Sequence, residues 1–152
     1  MKTLTIDDAQ LAALSTPLPA GSTPWRRTWT GRVLAGLPLV FMTWDASVKL
    51  LAIPQVIEGS ARLGFERANL LPIGLIELGA VLLALFYRTR IFGAVLLTAY
   101  LGGAVAVHVQ HSDPTFSHTL FPIYFATMIW GGLALLDRRV RAISPFTRGP
   151  AA

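Results

Sequence analysis

The chain has 152 residues, of which 53% are hydrophobic and only 14% are charged, and it contains no cysteine. Soluble domains average about 25% charged residues, so this composition is typical of a single membrane domain. The lack of cysteine excludes disulfides, thiol chemistry and cysteine metal sites. The formal net charge of +5 does not indicate nucleic-acid binding. The basic residues cluster at the ends of apolar runs, which is where membrane topology places them.

The chain begins with a polar, proline-containing segment, residues 1–24. It has no apolar run of signal-peptide length behind a basic start, which predicts a flexible cytoplasmic tail. The next five residues, Trp25–Trp29, combine two tryptophans with two arginines, a pairing typical of a membrane boundary. Residues 146–152 are interpreted as a second tail. The membrane domain is therefore predicted to span residues 25–145.

Four apolar runs are long enough to cross a bilayer, whose hydrocarbon core requires about 20 helical residues. Their predicted bounds are about 31–53, 70–87, 90–110 and 118–136. The connections between them are short, so neighbouring spans should run in opposite directions. The sequence thus predicts an all-α membrane protein, an antiparallel bundle of four transmembrane helices. Residues 54–69 alternate apolar and charged positions, which favours either a short interfacial segment or a loop.

The arginines predict how the bundle is oriented. Eight of them lie close to the start of the first span, between the second and third spans, or close to the end of the fourth: Arg26, Arg27, Arg32, Arg88, Arg90, Arg138, Arg139 and Arg141. On the opposite side, Arg62 and Arg67 are offset by Glu58 and Glu66. By the positive-inside rule both termini are cytoplasmic, and the predicted location is the bacterial inner membrane.

Small residues recur along the third span. Ala94, Thr98, Gly102 and Ala106 are four residues apart, and Gly103 lies beside them. Small side chains at this spacing allow helix backbones to approach closely in a membrane. The pattern predicts a packing face, either inside the bundle or between protomers.

Several motifs follow one another along the chain: Ser47-Val48-Lys49-Leu50, Gly74-Leu75-Ile76-Glu77-Leu78-Gly79-Ala80, Tyr100-Leu101-Gly102-Gly103-Ala104, and Trp130-Gly131-Gly132-Leu133 before Asp137-Arg138. Over roughly residues 31–145 the sequence resembles the DoxX-like family of small bacterial membrane proteins with four spans. The resemblance implies association with membrane redox systems, including quinone-linked sulfur oxidation and oxidative-stress complexes. Distant relatives imply cargo handling or membrane-protein assembly. The resemblance implies no single activity.

Polar side chains inside the spans mark the candidate site, because a buried charge costs about 2.5–3.5 kcal/mol on insertion scales. With a helical rise of about 1.5 Å per residue, Asp45 lies roughly 21 Å above the cytoplasmic boundary and Lys49 roughly 27 Å above it. Glu77 lies roughly 10 Å below the outer boundary of a core about 30 Å thick, at nearly the level of Asp45. His108 falls near Lys49, and Tyr124 near Glu77. The sequence therefore predicts a polar pocket in the outer half, lined by these five residues.

The charges of this pocket do not balance by themselves. Asp45 and Lys49 are four residues apart with the acid first, the favourable order for an intrahelical ion pair. Glu77 then has no cation of its own, so it is protonated, balanced by His108, or exposed to a water-filled pocket. Protonation of Glu77 costs least. His108 and His111 share a helix face, but a metal site needs further ligands, and no metal or other cofactor is predicted.

Five aromatic residues have two interpretations. Phe41, Trp44, Phe121, Phe125 and Trp130 either line a slot for a flat, lipid-soluble ring or face lipid and core. No phosphate-binding loop, haem-attachment motif, His-Glu-x-x-His or Gly-x-Ser-x-Gly occurs in the sequence.

Three functional hypotheses remain open at the level of sequence. The first is an accessory membrane protein that binds a small hydrophobic molecule, such as a quinone, and requires a redox partner protein because it supplies no cofactor ligands. The second is an acid–base enzyme acting on a lipidic substrate through Asp45 or Glu77 with His108. The third is an assembly or transport factor that recognises other membrane helices.

Overall fold

The structure, a computed structural model, describes residues 24–143. Its helices are α1 (Pro24–Leu50), α2 (Pro54–Arg62), α3 (Arg67–Leu85), α4 (Arg90–Gln110), a π-helical turn (Thr115–Thr119), α5 (Phe121–Leu136) and α6 (Arg138–Ile143). No strand occurs within residues 24–143. The predicted tails lie outside the described residues, except for Pro24, which begins α1.

Four segments are long and apolar enough to cross a membrane: Trp25–Leu50, Arg67–Leu85, Arg90–Gln110 and Thr115–Leu136. Their outward faces are apolar as well, since large side chains such as Val40, Ile76 and Phe92 are more than half exposed. A soluble protein rarely leaves so much contiguous apolar surface uncovered, whereas lipid covers it in a membrane. The predicted all-α, four-helix membrane fold is confirmed.

The first span begins earlier than the sequence predicted. Helix α1 starts at Pro24, so the Trp25–Trp29 segment is its first turns rather than a boundary ahead of it. Its 27 residues correspond to about 40 Å of helix. This exceeds the roughly 30 Å hydrocarbon core, so α1 is more than long enough to span it. Residues 54–62 form α2, an amphipathic helix with no buried residue, and thus not a plain loop.

The four spans form a closed ring in the order α1, α3, α4, α5, in which each helix packs against the next and α5 packs against α1. Each contributes at least one nearly inaccessible side chain to the centre, for example Met42, Val81, Leu97 and Ile129. Helices α1, α2 and α4 end in the same way. A residue with positive φ follows each of them: Ala52 after α1, Gly64 after α2 and Ser112 after α4. The two backbone bonds of a Schellman motif close each end and satisfy carbonyls that the helix leaves free.

Helices approach most closely near the end of the bundle that carries the arginines. A Cβ atom on Gly93 would lie 2.2 Å from the backbone nitrogen of Ala84, and one on Gly132 would lie 2.6 Å from that of Ala35. Only glycine fits at such distances, so α4 packs on α3, and α5 on α1, backbone to backbone.

Of the small residues predicted to form a packing face on the third span, one lies in the core of the bundle. Ala94 is fully buried in the core, but Thr98, Gly102, Gly103 and Ala106 are exposed. No heavy atom lies within 4 Å of where a Cβ on Gly102 or Gly103 would be. These positions do not make the close contacts inside the bundle, and a contact between protomers stays a prediction.

An ion-pair cluster joins the elements at this end, which we call the basic end (Arg32, Arg88, Arg90 and Arg139). Asp137, 1% exposed, accepts bonds from the side chain of Arg139 at 2.9 and 3.2 Å and lies 3.9 Å from Arg90 Nε. The hydrogen bond from Arg139 holds the pKa of Asp137 below its usual range. Arg139 also donates to the carbonyl of Tyr87 at 2.6 Å, which ties the α3–α4 turn to the end of α5.

Candidate ligand-binding site

Lys49 is the centre of a polar cluster in the opposite half of the bundle, which we call the distal half. It lies in the last turn of α1 and donates to Asp45 Oδ2, one turn earlier on the same helix. Lys49 Nζ also donates to Glu77 Oε2 on α3 and to the hydroxyl of Tyr100 on α4, both at 2.8 Å. The Tyr100 hydroxyl in turn donates to Glu77 Oε2 at 2.7 Å. Three helices therefore meet through one ammonium group.

Burial differs sharply among the charged members of this cluster. The side chain of Glu77 is 0% exposed, that of Lys49 is 16% exposed and that of Asp45 is 32% exposed. Glu77 Oε2 accepts two hydrogen bonds, whereas Glu77 Oε1 is buried and has no hydrogen-bond partner among residues 24–143. A buried polar atom without a partner carries its full desolvation cost. A ligand group that pairs with Oε1 would remove this cost.

The cluster forms part of the wall of a cavity of about 560 Å³. This volume lies within the range of about 300–1,000 Å³ that is common for small-molecule sites. Helices α1, α3, α4 and α5 contribute to its lining, together with residues of α2 and of the α2–α3 connection. Most lining residues are apolar, and the polar ones include Asp45, Lys49, Glu77 and Tyr100. The cavity thus combines an apolar body with a localised polar region.

Three of the four phenylalanines that line the cavity are in contact with one another. The ring of Phe41 lies 5.6 Å from that of Phe121 and 5.0 Å from that of Phe125, and the last two rings are 4.5 Å apart. Phe41 and Phe121 are each more than a third exposed, whereas Phe125 is buried. Trp44 contacts Phe41 but is exposed and does not line the cavity. Trp130 instead donates to Thr98 at 2.9 Å.

His108 lies on the cavity wall but belongs to a different hydrogen-bonded pair. Its Nδ1 is 2.6 Å from Asp113 Oδ2 in the α4–α5 turn, and its ring is 5.9 Å from that of His118. The hydrogen bond from His108 lowers the pKa of Asp113, so the carboxylate accepts and Nδ1 carries the proton. No group of three or more potential metal ligands is placed to hold an ion in the described part of the chain.

Of the two tyrosines in the distal half, the one predicted to line the pocket lies outside it, and the other lies in the polar cluster. Tyr124 is 45% exposed and does not line the cavity. Tyr100, which was not among the five residues predicted to line the pocket, bonds to both Lys49 and Glu77. The available signal was a hydroxyl in the middle of an otherwise apolar span, which needs a partner when it is buried.

One comparison with known proteins agrees with the family resemblance of the sequence motifs. The sequence model of the DoxX-like family matches residues 33–132, well over half of the chain. The chain belongs to the DoxX-like family. The matched part runs from α1 into α5 and includes Asp45, Lys49, Glu77 and Tyr100. No curated protein and no solved structure matches the chain.

Proposed function

We propose that this DoxX-like protein binds a small lipophilic molecule with a polar head group, of the quinone type, in the distal cavity. The observation that carries the proposal is the cavity of about 560 Å³ with apolar walls and one buried carboxylate oxygen, Glu77 Oε1, that has no partner among residues 24–143. The three phenylalanine rings offer edges and faces to a flat ring, and aromatic contacts of this kind add to apolar burial.

We further propose that the protein is an accessory subunit of a membrane redox system. A bound quinone-like molecule needs an electron donor or acceptor, and such groups belong to cofactors whose chemistry a protein positions. Co-purification in mild detergent with a flavin, haem or iron–sulfur subunit would support this assignment. We also propose that the basic end faces the cytoplasm, because it carries most of the arginines.

Binding is tested with decylubiquinone and its reduced form, added to the full-length protein in lipid nanodiscs under anaerobic conditions. A ligand that binds the folded state raises the melting temperature in a saturable way. We expect saturation by at least one of the two forms. Absence of a saturable shift with both would refute the quinone-type proposal.

Two neighbouring glycines provide a matched pair of variants. Gly103 lines the cavity and Gly102 does not, while both are exposed and have open space where a Cβ would be. Gly103→Phe should fill the cavity and weaken binding at least tenfold, and Gly102→Phe should leave binding unchanged. Equal effects of the two variants would place the binding site elsewhere.

A further inference from the structure

The polar side chains on the cavity wall differ in what they can still offer to a ligand. An ammonium group has three protons, and Lys49 gives them to Asp45, Glu77 and Tyr100. The Tyr100 hydroxyl gives its single proton to Glu77, whose side chain is fully buried. His108 lies apart from this network, and its side chain is partly exposed. It is therefore a lining residue whose bonding capacity the polar cluster does not use.

His108 lies in the last turn of α4 and is held in place by the turn that follows. Its Nδ1 is 2.6 Å from Asp113 Oδ2, and the backbone N–H of Asp113 donates to the carbonyl of His108 at 3.1 Å. A carboxylate bonded to one ring nitrogen fixes the orientation of the imidazole and keeps a proton on that nitrogen. The other nitrogen, Nε2, has no hydrogen-bond partner among residues 24–143, and it is not one of the buried atoms that lack a partner there. Because His108 lines the cavity, Nε2 is the ring nitrogen left for a ligand.

We infer that the head group of the ligand pairs with His108 Nε2, and that this pairing makes the preference between the hydroxyl and carbonyl forms of the ligand depend on pH. This inference rests on the proposed function and names the residue that recognises the head group. Neutral His108 has its proton on Nδ1, so Nε2 accepts and pairs with a hydroxyl. Protonated His108 has a second proton on Nε2, which donates and pairs with a carbonyl. For a quinone-type couple, rising pH therefore shifts binding toward the reduced form, the hydroquinone, and falling pH shifts it toward the quinone.

Other titratable or charged groups surround the cavity and the α4–α5 turn. They are Asp45 and Lys49 on α1, Glu77 on α3, Tyr100 and His111 on α4, Asp113 in the turn, and His118 in the π-helical turn, whereas the lining residues from α5 are apolar. The ring of His118 lies 5.9 Å from that of His108, but neither His118 nor His111 lines the cavity. Their charges therefore influence the pH at which His108 changes state without bonding to the head group. Ser60 donates or accepts at any pH and adds no pH dependence.

Two glutamine variants separate His108 from the other histidines. In His108→Gln the amide donates through its nitrogen and accepts through its oxygen at every pH, so the preference between the two forms should no longer depend on pH. His111→Gln is the matched control. His111 lies just after the same helix, is exposed and does not line the cavity, so its loss removes a titratable ring without changing the wall.

The experiment measures the binding of decylubiquinone and of its reduced form to the full-length protein in anaerobic lipid nanodiscs. It is done at about pH 5 and about pH 8, on either side of the range in which histidine titrates. Phenolic hydroxyls titrate near about pH 10, so the ligand itself keeps its protons. From the lower to the higher pH, the ratio of the Kd of the oxidised form to that of the reduced form should rise roughly tenfold, because an unmatched donor or acceptor costs about as much as a hydrogen bond contributes. The natural protein and His111→Gln should both show this rise, and His108→Gln should not.

The outcomes separate this inference from the proposed function. A ratio that is the same at both pH values in the natural protein, or that falls as the pH rises, would overturn the role of His108 while leaving the ligand site intact. No binding of either form at either pH would instead refute the proposed function. If His108→Gln keeps the pH dependence, or if His111→Gln loses it, another group is responsible and the inference is wrong. The comparison within the natural protein stands even if a variant fails to fold, which its melting curve shows.

Discussion

The basic end and the distal half of this bundle are built on different principles. At the basic end, Gly93 and Gly132 bring helix backbones into direct contact, and Asp137 holds two arginines against the chain. In the distal half, the same helices leave a cavity of about 560 Å³, and a lysine in its wall bridges two carboxyl groups and a tyrosine. The difference is that helices pack closely at one end, while at the other they enclose a cavity, the proposed ligand site.

The two ends also differ in how completely their buried acidic groups are paired. Asp137 lies just after α5, beside arginines that keep it ionised and paired. Glu77 lies in the middle of α3 and is satisfied through one oxygen alone. A polar atom left unpaired at that depth is a cost to stability, and such costs are commonly found where a protein binds or reacts.

The largest expected effect is an all-or-none difference in labelling: a reagent outside the cell should reach the distal half and not the side of the membrane where the basic end lies. Because the chain has no cysteine, single cysteines at Ser22 and Ser112 can be labelled without background. Ser22 lies outside the described residues, and Ser112 lies in the α4–α5 turn of the distal half. An impermeant thiol reagent added to intact cells should label Ser112→Cys and leave Ser22→Cys unlabelled. Labelling of Ser22→Cys alone would reverse the orientation.

The next effect concerns the polar cluster and stability in the absence of ligand. Lys49→Met removes the shared partner of Asp45, Glu77 and Tyr100, and should lower the free energy of unfolding by about 3–5 kcal/mol, as is usual when one side of a buried pair is lost. Glu77→Gln should change it little at neutral pH, because the amide resembles the neutral acid and keeps both hydrogen bonds at one oxygen. Thermal melting in detergent measures both variants, with exposed Arg67→Met as the control for loss of a cation.

The opposite ranking has a definite meaning. If Glu77→Gln unfolds the bundle while Lys49→Met leaves it intact, Glu77 is the ionised partner of Lys49. The prediction that Glu77 carries a proton in the empty protein would then be wrong. The partners of Glu77 in the cluster are the same in either case, so the melting experiment distinguishes the protonated form of Glu77 from the ionised form.

Features that depend on position along a helix could be predicted from the sequence. Hydropathy located the four spans, and the helical rise placed Asp45, Lys49 and Glu77 at similar depths, where the structure joins them through Lys49. Features that depend on rotation about a helix axis could not. A lipid-facing residue and a core-facing residue are both apolar in a membrane, so periodicity does not orient the helix.

This limit accounts for particular differences between prediction and structure. Rotation of α5 turns Tyr124 outward, and rotation of α4 turns Tyr100 toward Glu77. The same rotation of α4 exposes Gly102 and Gly103 and puts Gly93 against Ala84. Gly103 also lines the cavity, so a large residue there would alter the proposed ligand site as well as the helix surface.

The smallest expected effect tests whether the basic end secures the fold through close contact. In α4, Gly93 and Gly102 are both helical, but a Cβ would meet the Ala84 backbone at the first and nothing within 4 Å at the second. Because backbone atoms cannot move aside as a flexible side chain does, Gly93→Ala should lower the free energy of unfolding by about 1–3 kcal/mol. Gly102→Ala should be neutral or slightly stabilising, because alanine is the better helix former. Denaturation by SDS in mixed micelles measures both. If Gly93→Ala is as stable as Gly102→Ala, the α3–α4 hairpin opens at little cost, and the basic end is no more tightly held than the distal half.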